Sequence, residues 1–173
     1  MSIKINYSNK VSSKSSNNLV LFTEENFNIN GLKKYISNVE FSYINDLLKN
    51  SDLKKNFHFF EVNSKKTIFL VSVKKNLEVS DIEGLGAEFY SYINYSKKGD
   101  FFINSDTISN KSENFLGYFL HGLKLKSYEF NIYKSKKDKK TILINVIRDK
   151  NKITIQNELR FKAIEEGTFF ARD

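Results

Sequence analysis

Ile3, Ile5 and Tyr7 alternate with polar residues, the period of two that lays apolar side chains on one face of a half-buried strand. Residues 12–18 are Ser, Lys and Asn only, a loop by composition. The four-residue apolar run 19–22 that follows predicts a second, buried strand. Ser37 and Glu40 have the spacing of a capping box, in which the Ser side chain accepts from a first-turn N–H and the Glu reaches back. Phe41, Ile44, Leu47 and Leu48 then recur at helical spacing, predicting a helix that ends near Asn50. Residues 57–62 and 67–73, joined by the polar turn 63–66, read as a hairpin. Its second strand is apolar at consecutive positions, which predicts a strand inside a sheet covered on both sides.

Ser80 and Glu83 repeat the capping-box spacing, and Ile82, Leu85, Gly86, Phe89, Tyr90 and Ile93 follow the i, i+3, i+4, i+7 pattern. Residues 101–103 predict a short buried strand. Ser112 is placed to cap a helix with the stripe Phe115, Leu116, Phe119, Leu120 and Leu123. Residues 142–147 form another apolar strand, broken only by Asn145, and a last helix runs over roughly 154–172. The order β-β-α-β-β-α-β-α-β-α, with strands apolar on both faces, predicts a three-layer α/β domain with a mixed β-sheet between helices.

The last helix departs from the one-stripe rule. Ile155, Leu159, Ala163 and Phe170 mark one apolar stripe, and Phe161, Ile164 and Ala171 mark another. A terminal helix of an isolated domain buries one face, so a second stripe predicts a covering surface beyond these residues. Residues 1–152 are therefore read as the α/β domain and 153–173 as a connecting helix. The chain reaches Asp173 with neither a Gly cap nor a charged tail, and we expect it to be part of a longer protein.

Composition narrows the chemistry. The absence of Cys removes disulfides, thiolate metal sites and Cys nucleophiles. His58 and His121 are the only histidines, and they lack metal-ligand spacing. By the count of about 100° per residue, His121 projects away from the centre of its helix's stripe and is expected to face solvent. His58, in the first hairpin strand, should face the opposite side from Phe57 and Phe59. Gly84-Leu85-Gly86 lies inside a helix, not between strand and helix where backbone N–H groups could hold a phosphate. It is expected to pack helix on sheet. No apolar run reaches the roughly 18 residues of a membrane span, so the expected location is the cytoplasm, with no membrane partner.

The net charge is +8, from 28 Lys and Arg against 20 Asp and Glu. Basic charge with many aromatics points to single-stranded nucleic acid. However, Lys, Asn, Ile, Phe and Tyr are all enriched here, and their codons are A/T-rich, so genomic bias accounts for much of the pattern. One concentration remains, residues 124–140. Lys134, Lys136, Lys137, Lys139 and Lys140 there are the candidate nucleic-acid contacts, able to position a phosphate backbone but not to read bases.

From about Leu32 to Asp173 the chain resembles the N-terminal domain of leucyl aminopeptidases, the cytosol aminopeptidase family of two-metal peptidases. The resemblance rests on Tyr43-Ile44-Asn45-Asp46-Leu47-Leu48-Lys49 and Ile68-Phe69-Leu70-Val71-Ser72-Val73. It continues over residues 82–93 and Ser127-Tyr128-Glu129-Phe130, and is best over Glu165-Glu166-Gly167-Thr168-Phe169-Phe170-Ala171-Arg172-Asp173. It implies a macro-domain-like fold, joined through the last helix to a C-terminal catalytic domain absent from this chain. In the family that domain holds the two divalent metals, zinc or manganese, the catalytic Lys and Arg, and a motif reading N-T-D-A-E-G-R. No stretch here matches the motif, so the resemblance assigns this chain no catalytic residue, no metal ligand and no cofactor of its own. It further implies a role in assembling a hexamer and framing access to the active site, and, as in some members, contact with DNA. The parent protein would be a metal-dependent hydrolase releasing N-terminal amino acids. The alternative reading is a nucleic-acid-binding module using residues 124–140.

Overall fold

The computed structural model describes residues 2–8, 16–96, 99–108, 114–128, 141–147 and 155–172. In chain order the elements are β1 (Ser2–Ser8), β2 (Asn18–Glu24), α1 (Asn38–Leu48), β3 (Phe57–Glu61), β4 (Thr67–Val73), α2 (Val79–Asn94), β5 (Asp100–Asn104), α3 (Phe115–Lys126), β6 (Thr141–Ile147) and α4 (Ile155–Arg172). Single 3-10 turns lie at 25–27, 30–32 and 105–107. The strands form one sheet in the order β1-β6-β5-β2-β4-β3. Neighbours are parallel except β3 and β4, the antiparallel hairpin, so the sheet is mixed.

The period-two alternation explains the layers. Leu19 and Leu21 of β2 point to one side with Phe60, Ile68 and Leu70, and are covered by Ile44 and Leu48 of α1 and by Leu32, Tyr35 and Ile36. Val20 and Phe22 point to the other side with Phe69, Val71, Phe101 and Ile144, under α2 and α3. All seven residues of β4 are buried, as their unbroken apolar run requires. Phe89 sits at the centre of the second layer, with its ring 5.7–6.2 Å from those of Phe57, Phe69, Phe101 and Phe119. Burying each such ring stabilises the fold by about 1.5–3 kcal/mol.

The helices begin where local chemistry supplies their free N–H groups with acceptors. Ser37 caps α1: its side chain accepts from Glu40 N–H (3.3 Å), and the Glu40 carboxylate accepts from Ser37 N–H (2.8 Å). Lys66 lies 2.6 Å from the same carboxylate. For α2 the sequence reading is corrected. The cap is Glu78, not Ser80, and its N–H donates to the Asp81 carboxylate (3.1 Å). An acidic side chain at the third helical position performs the back-bond there, and the helix gains two residues at its start. α3 begins after Asn114, which adopts left-handed backbone (φ 61°), a conformation Asn tolerates better than most residues. Ser112, expected to cap this helix, lies outside the described residues.

The apolar positions of α2 are the six that the spacing predicts. Gly86, however, packs helix on helix rather than helix on sheet. A Cβ at Gly86 would overlap the Phe119 carbonyl, and one at Gly122 would overlap the Glu83 carbonyl. The two glycines let the backbones of α2 and α3 approach closer than side chains would allow.

Candidate functional site

α4 lies against α3 through a small polar and aromatic cluster. His121 and Glu165, both buried, face each other with Nδ1 to Oε1 at 3.0 Å. The other carboxylate oxygen of Glu165 accepts from Lys124 Nζ, also at 3.0 Å. Because a carboxylate only accepts, Nδ1 carries the proton of the His121 bond. The Phe161 ring stacks on the His121 imidazole (5.0 Å between centroids) and meets Tyr118 edge-on (5.2 Å). It also lies over Gly117, where a Cβ would come within 2.8 Å of its edge. Further along α4, Phe169 stacks on Tyr128 (4.9 Å), and the Arg172 guanidinium sits over the same Tyr128 ring (5.7 Å).

This corrects the expected exposure of His121, which is only 4% accessible. The stripe of α3 that faces the sheet is the one read from the sequence. A second helix, supplied 44 positions later in the chain, covers the adjoining face, and helical spacing within α3 carries no sign of it. The polar partner was present in the sequence as Glu165, but neither residue alone marks the other. In α4 the stripe Phe161, Ile164 and Ala171 is corrected: Phe161 packs beside Glu165 while Ile164 (43%) and Ala171 are exposed, and Leu159 and Phe170 of the other stripe are exposed too (62% and 85%).

Beside the cluster is a cavity of about 190 Å³ between β1, α3 and α4, walled by Ile3, Ile5, Leu120 and Phe161 and reached by His121 and Lys124. A histidine oriented by a carboxylate is half of a nucleophile-activating arrangement. Among the described residues lining the cavity there is no Ser, Thr or Cys, and what the His121–Glu165 contact does is tie α4 to α3.

A second cleft, of about 280 Å³, opens at the carboxyl ends of β2 and β5, lined by Thr23, Tyr35, Asp106 and Thr107 among others. In open α/β sheets such a position, where successive connections leave a strand in opposite directions, is where ligands commonly sit. Here the chain fills much of the space itself. The Thr107 hydroxyl accepts from Phe22 N–H (2.9 Å) and donates to the Asn104 carbonyl (2.7 Å). The Tyr35 hydroxyl donates to the Asp106 carbonyl (3.3 Å). Asn26 and Phe27, just after β2, both take positive φ (60° and 53°), which turns the Phe27 ring back under the sheet against His58 (4.6 Å). His58 indeed faces away from Phe57 and Phe59, and its Nε2 lies 3.0 Å from the Asp52 carbonyl.

Lys134, Lys136, Lys137, Lys139 and Lys140 lie outside the described residues. Among the described residues, no group of three or more His, Asp or Glu is placed to hold a metal ion. The two-metal chemistry that the family resemblance implies therefore does not fit this set of side chains. Among the same residues, no helix is long and apolar enough to cross a membrane.

The architecture has known counterparts. A tomato leucine aminopeptidase variant matches 95% of this chain with a TM-score of 0.67 at 14% identity, over 36% of its own length. The fold is similar to part of a leucine aminopeptidase. The cytosol aminopeptidase of Coxiella burnetii matches 92% of this chain with a TM-score of 0.52 at 13% identity, over 31% of its own length. The chain thus spans about a third of each of these two aminopeptidases, and at these identities the likeness is one of fold. No protein-family model matches the sequence, and no curated protein matches it by sequence.

Proposed function

We propose that this chain is the N-terminal, non-catalytic domain of a leucyl aminopeptidase, supporting assembly of the oligomer and framing access to an active site built elsewhere. The observation that carries this reading is the pair of coverages: nearly all of this chain corresponds to about a third of an aminopeptidase. The sequence resemblance, strongest at the end of the last helix, supports the same reading. The exposed Leu159 and Phe170, on one stripe of α4, give a catalytic domain an apolar face to cover. In this reading two divalent metals, zinc or manganese, belong to the catalytic domain, and the working protein is a hydrolase of N-terminal residues.

The test has two arms. The encoding gene is sequenced beyond codon 173, and the protein expressed to its natural end is assayed beside residues 1–173 on leucine p-nitroanilide with manganese or zinc. The expected result is a gene that continues into a metallopeptidase domain, with turnover only in the longer protein. Turnover by residues 1–173, or a gene that ends there or continues into another kind of domain, overturns the reading.

A further inference from the structure

Gly117, Leu120, His121 and Lys124 stand at i, i+3, i+4 and i+7 on α3, so they share one face of that helix. Phe161 and Glu165, four residues apart, share a face of α4, and Ile3 and Ile5 share a face of β1. The three surfaces meet around the cavity of about 190 Å³. Gly117 lets α4 close one side of it, since a Cβ there would come within 2.8 Å of the Phe161 ring edge. The walls are of two kinds. Ile3, Ile5, Leu120 and the Phe161 ring are apolar, whereas His121, Lys124 and Glu165 are gathered at one place by their bonds to one another.

That polar group uses only part of its bonding capacity. Both Glu165 oxygens are engaged, one by His121 Nδ1–H and the other by Lys124 Nζ. An ammonium has three donors, and Lys124 is partly exposed, so it can serve a second acceptor. His121 is buried, yet its other ring nitrogen, Nε2, has no hydrogen-bond partner among the described residues. Nor is Nε2 among the side-chain atoms closed off from solvent, so it opens on the cavity that the imidazole lines. Lys4 and Lys124 stand there against the single carboxylate of Glu165, a positive balance even with a neutral imidazole.

We propose that this cavity binds a small branched aliphatic carboxylate. The apolar body lies against Ile3, Ile5, Leu120 and Phe161, and the carboxylate bonds to Lys124 Nζ and His121 Nε2. Size sets the scale: an apolar cavity of roughly 150 Å³ holds benzene, and drug-sized sites begin near about 300 Å³, so this one suits five or six carbons. Charge sets the sign, because an ammonium in the same place would meet Lys124. With its proton on Nδ1, a neutral imidazole offers Nε2 only as an acceptor, and two acceptors do not bond. The ligand therefore binds with a proton taken from solvent onto Nε2. The resulting imidazolium is held between two carboxylates, that of Glu165 and that of the ligand, through charge-assisted bonds. Lys4 and Tyr7 on β1, Lys124 on α3 and Glu165 on α4 are the other titratable groups lining the cavity. The site rests on the cavity alone, so it and the aminopeptidase reading can fail independently.

The test is calorimetric titration of the chain with isovalerate near pH 6 and near pH 8, on either side of the usual imidazole range, in buffers of different ionisation heat. Amide chemical shifts are followed in parallel. The expected result is one-to-one binding that is tighter at the lower pH and takes up a proton, with shifts centred on Gly117, Leu120 and Lys124. Isovaleramide, which has the same shape without the charge, should bind at least about tenfold more weakly, and Lys124→Gln should weaken isovalerate by about tenfold. If that variant does not fold, the parent's shifts and the amide comparison decide. Leucine, the same branched body with an α-ammonium, separates a free acid from an amino acid as the source of the carboxylate. It should bind more weakly than isovalerate, and tighter binding at the same amides would keep the carboxylate site but make an amino acid its ligand. No saturable binding of either, shifts centred elsewhere, equal binding of isovaleramide, or an affinity that does not change with pH overturns the proposal.

Discussion

His121 Nδ1 and Glu165 Oε1 lie 3.0 Å apart across the α3–α4 interface, with Lys124 on the other carboxylate oxygen. This is a polar tie between the last helix and the body of the domain, and Glu165 is the acceptor that both donors need. Glu165→Ala leaves a buried imidazole N–H without its acceptor and should cost about 1.5–3 kcal/mol in urea unfolding. Amides of α4 should exchange faster in the same variant. The pair His121→Phe, Glu165→Leu removes both partners and should stay within about 1 kcal/mol of the parent, because Lys124 is partly exposed and can turn to water. A double variant as unstable as Glu165→Ala would contradict this account.

Phe161 supplies the apolar half of the same attachment. Its ring is buried between His121, Tyr118 and Gly117. Phe161→Ala should cost about 3 kcal/mol and release α4 to limited proteolysis while β2, β4 and α2 remain protected. If protection were lost evenly over the whole chain, α4 would be part of the cooperative core and not a helix docked upon it.

The glycines of α2 separate two roles that one motif conflates. A Cβ at Gly84 meets nothing within 4 Å, whereas one at Gly86 meets the backbone of α3. Gly84→Ala should stabilise by about 0.5–1 kcal/mol through the helix backbone. Gly86→Ala and Gly122→Ala should each destabilise by about 1–3 kcal/mol or more. Thermal melts of the three single variants are sufficient to check the opposite signs.

Glu40 gives the chain an acid-sensitive joint. Burial pushes its carboxyl up, but the Lys66 ammonium, the Ser37 N–H and the Ser37 hydroxyl together hold it below the usual carboxylate range. A depressed folded value means stabilisation present above the unfolded Glu value of about 4.3 and lost as pH falls through the folded one. Glu40→Gln should therefore be less stable than the parent by about 1 kcal/mol near neutrality. The gap should close on acidification, as read from urea midpoints at a series of pH values. A gap that is constant or widens in acid would contradict the assignment.

Most of the architecture was legible because it is local. Element order, the Ser37–Glu40 cap, the six buried positions of α2 and the two-sided burial of β4 follow from spacing within single segments. What escaped depends on distant partners. His121 reads as a surface residue on α3 because the helix that covers it comes much later. Gly86 reads as sheet packing because nothing near it reveals that α3 carries Gly122 at the matching position. Ser80 outranks Glu78 as a cap by residue preference, yet the Asp81 carboxylate already serves the earlier N–H. That β3, not β4, is the outer strand of the hairpin among the described residues became visible only with the strand order, since a hairpin's sequence does not tell which of its strands lies further in.

The first strand has a long wait. β1 pairs in register with β6, Ser2 beside Thr141 and Ser8 beside Ile147, and among the described residues no other strand borders it. Of the described strands, β1 is made first and its partner β6 last. The hairpin of β3 and β4, and then β2, α2 and β5, can assemble meanwhile. β1 thus joins the sheet after the strands that lie between it and β6 in the chain can pair, so a substitution that weakens the β1–β6 pairing would disturb the last strand addition and leave the earlier ones intact.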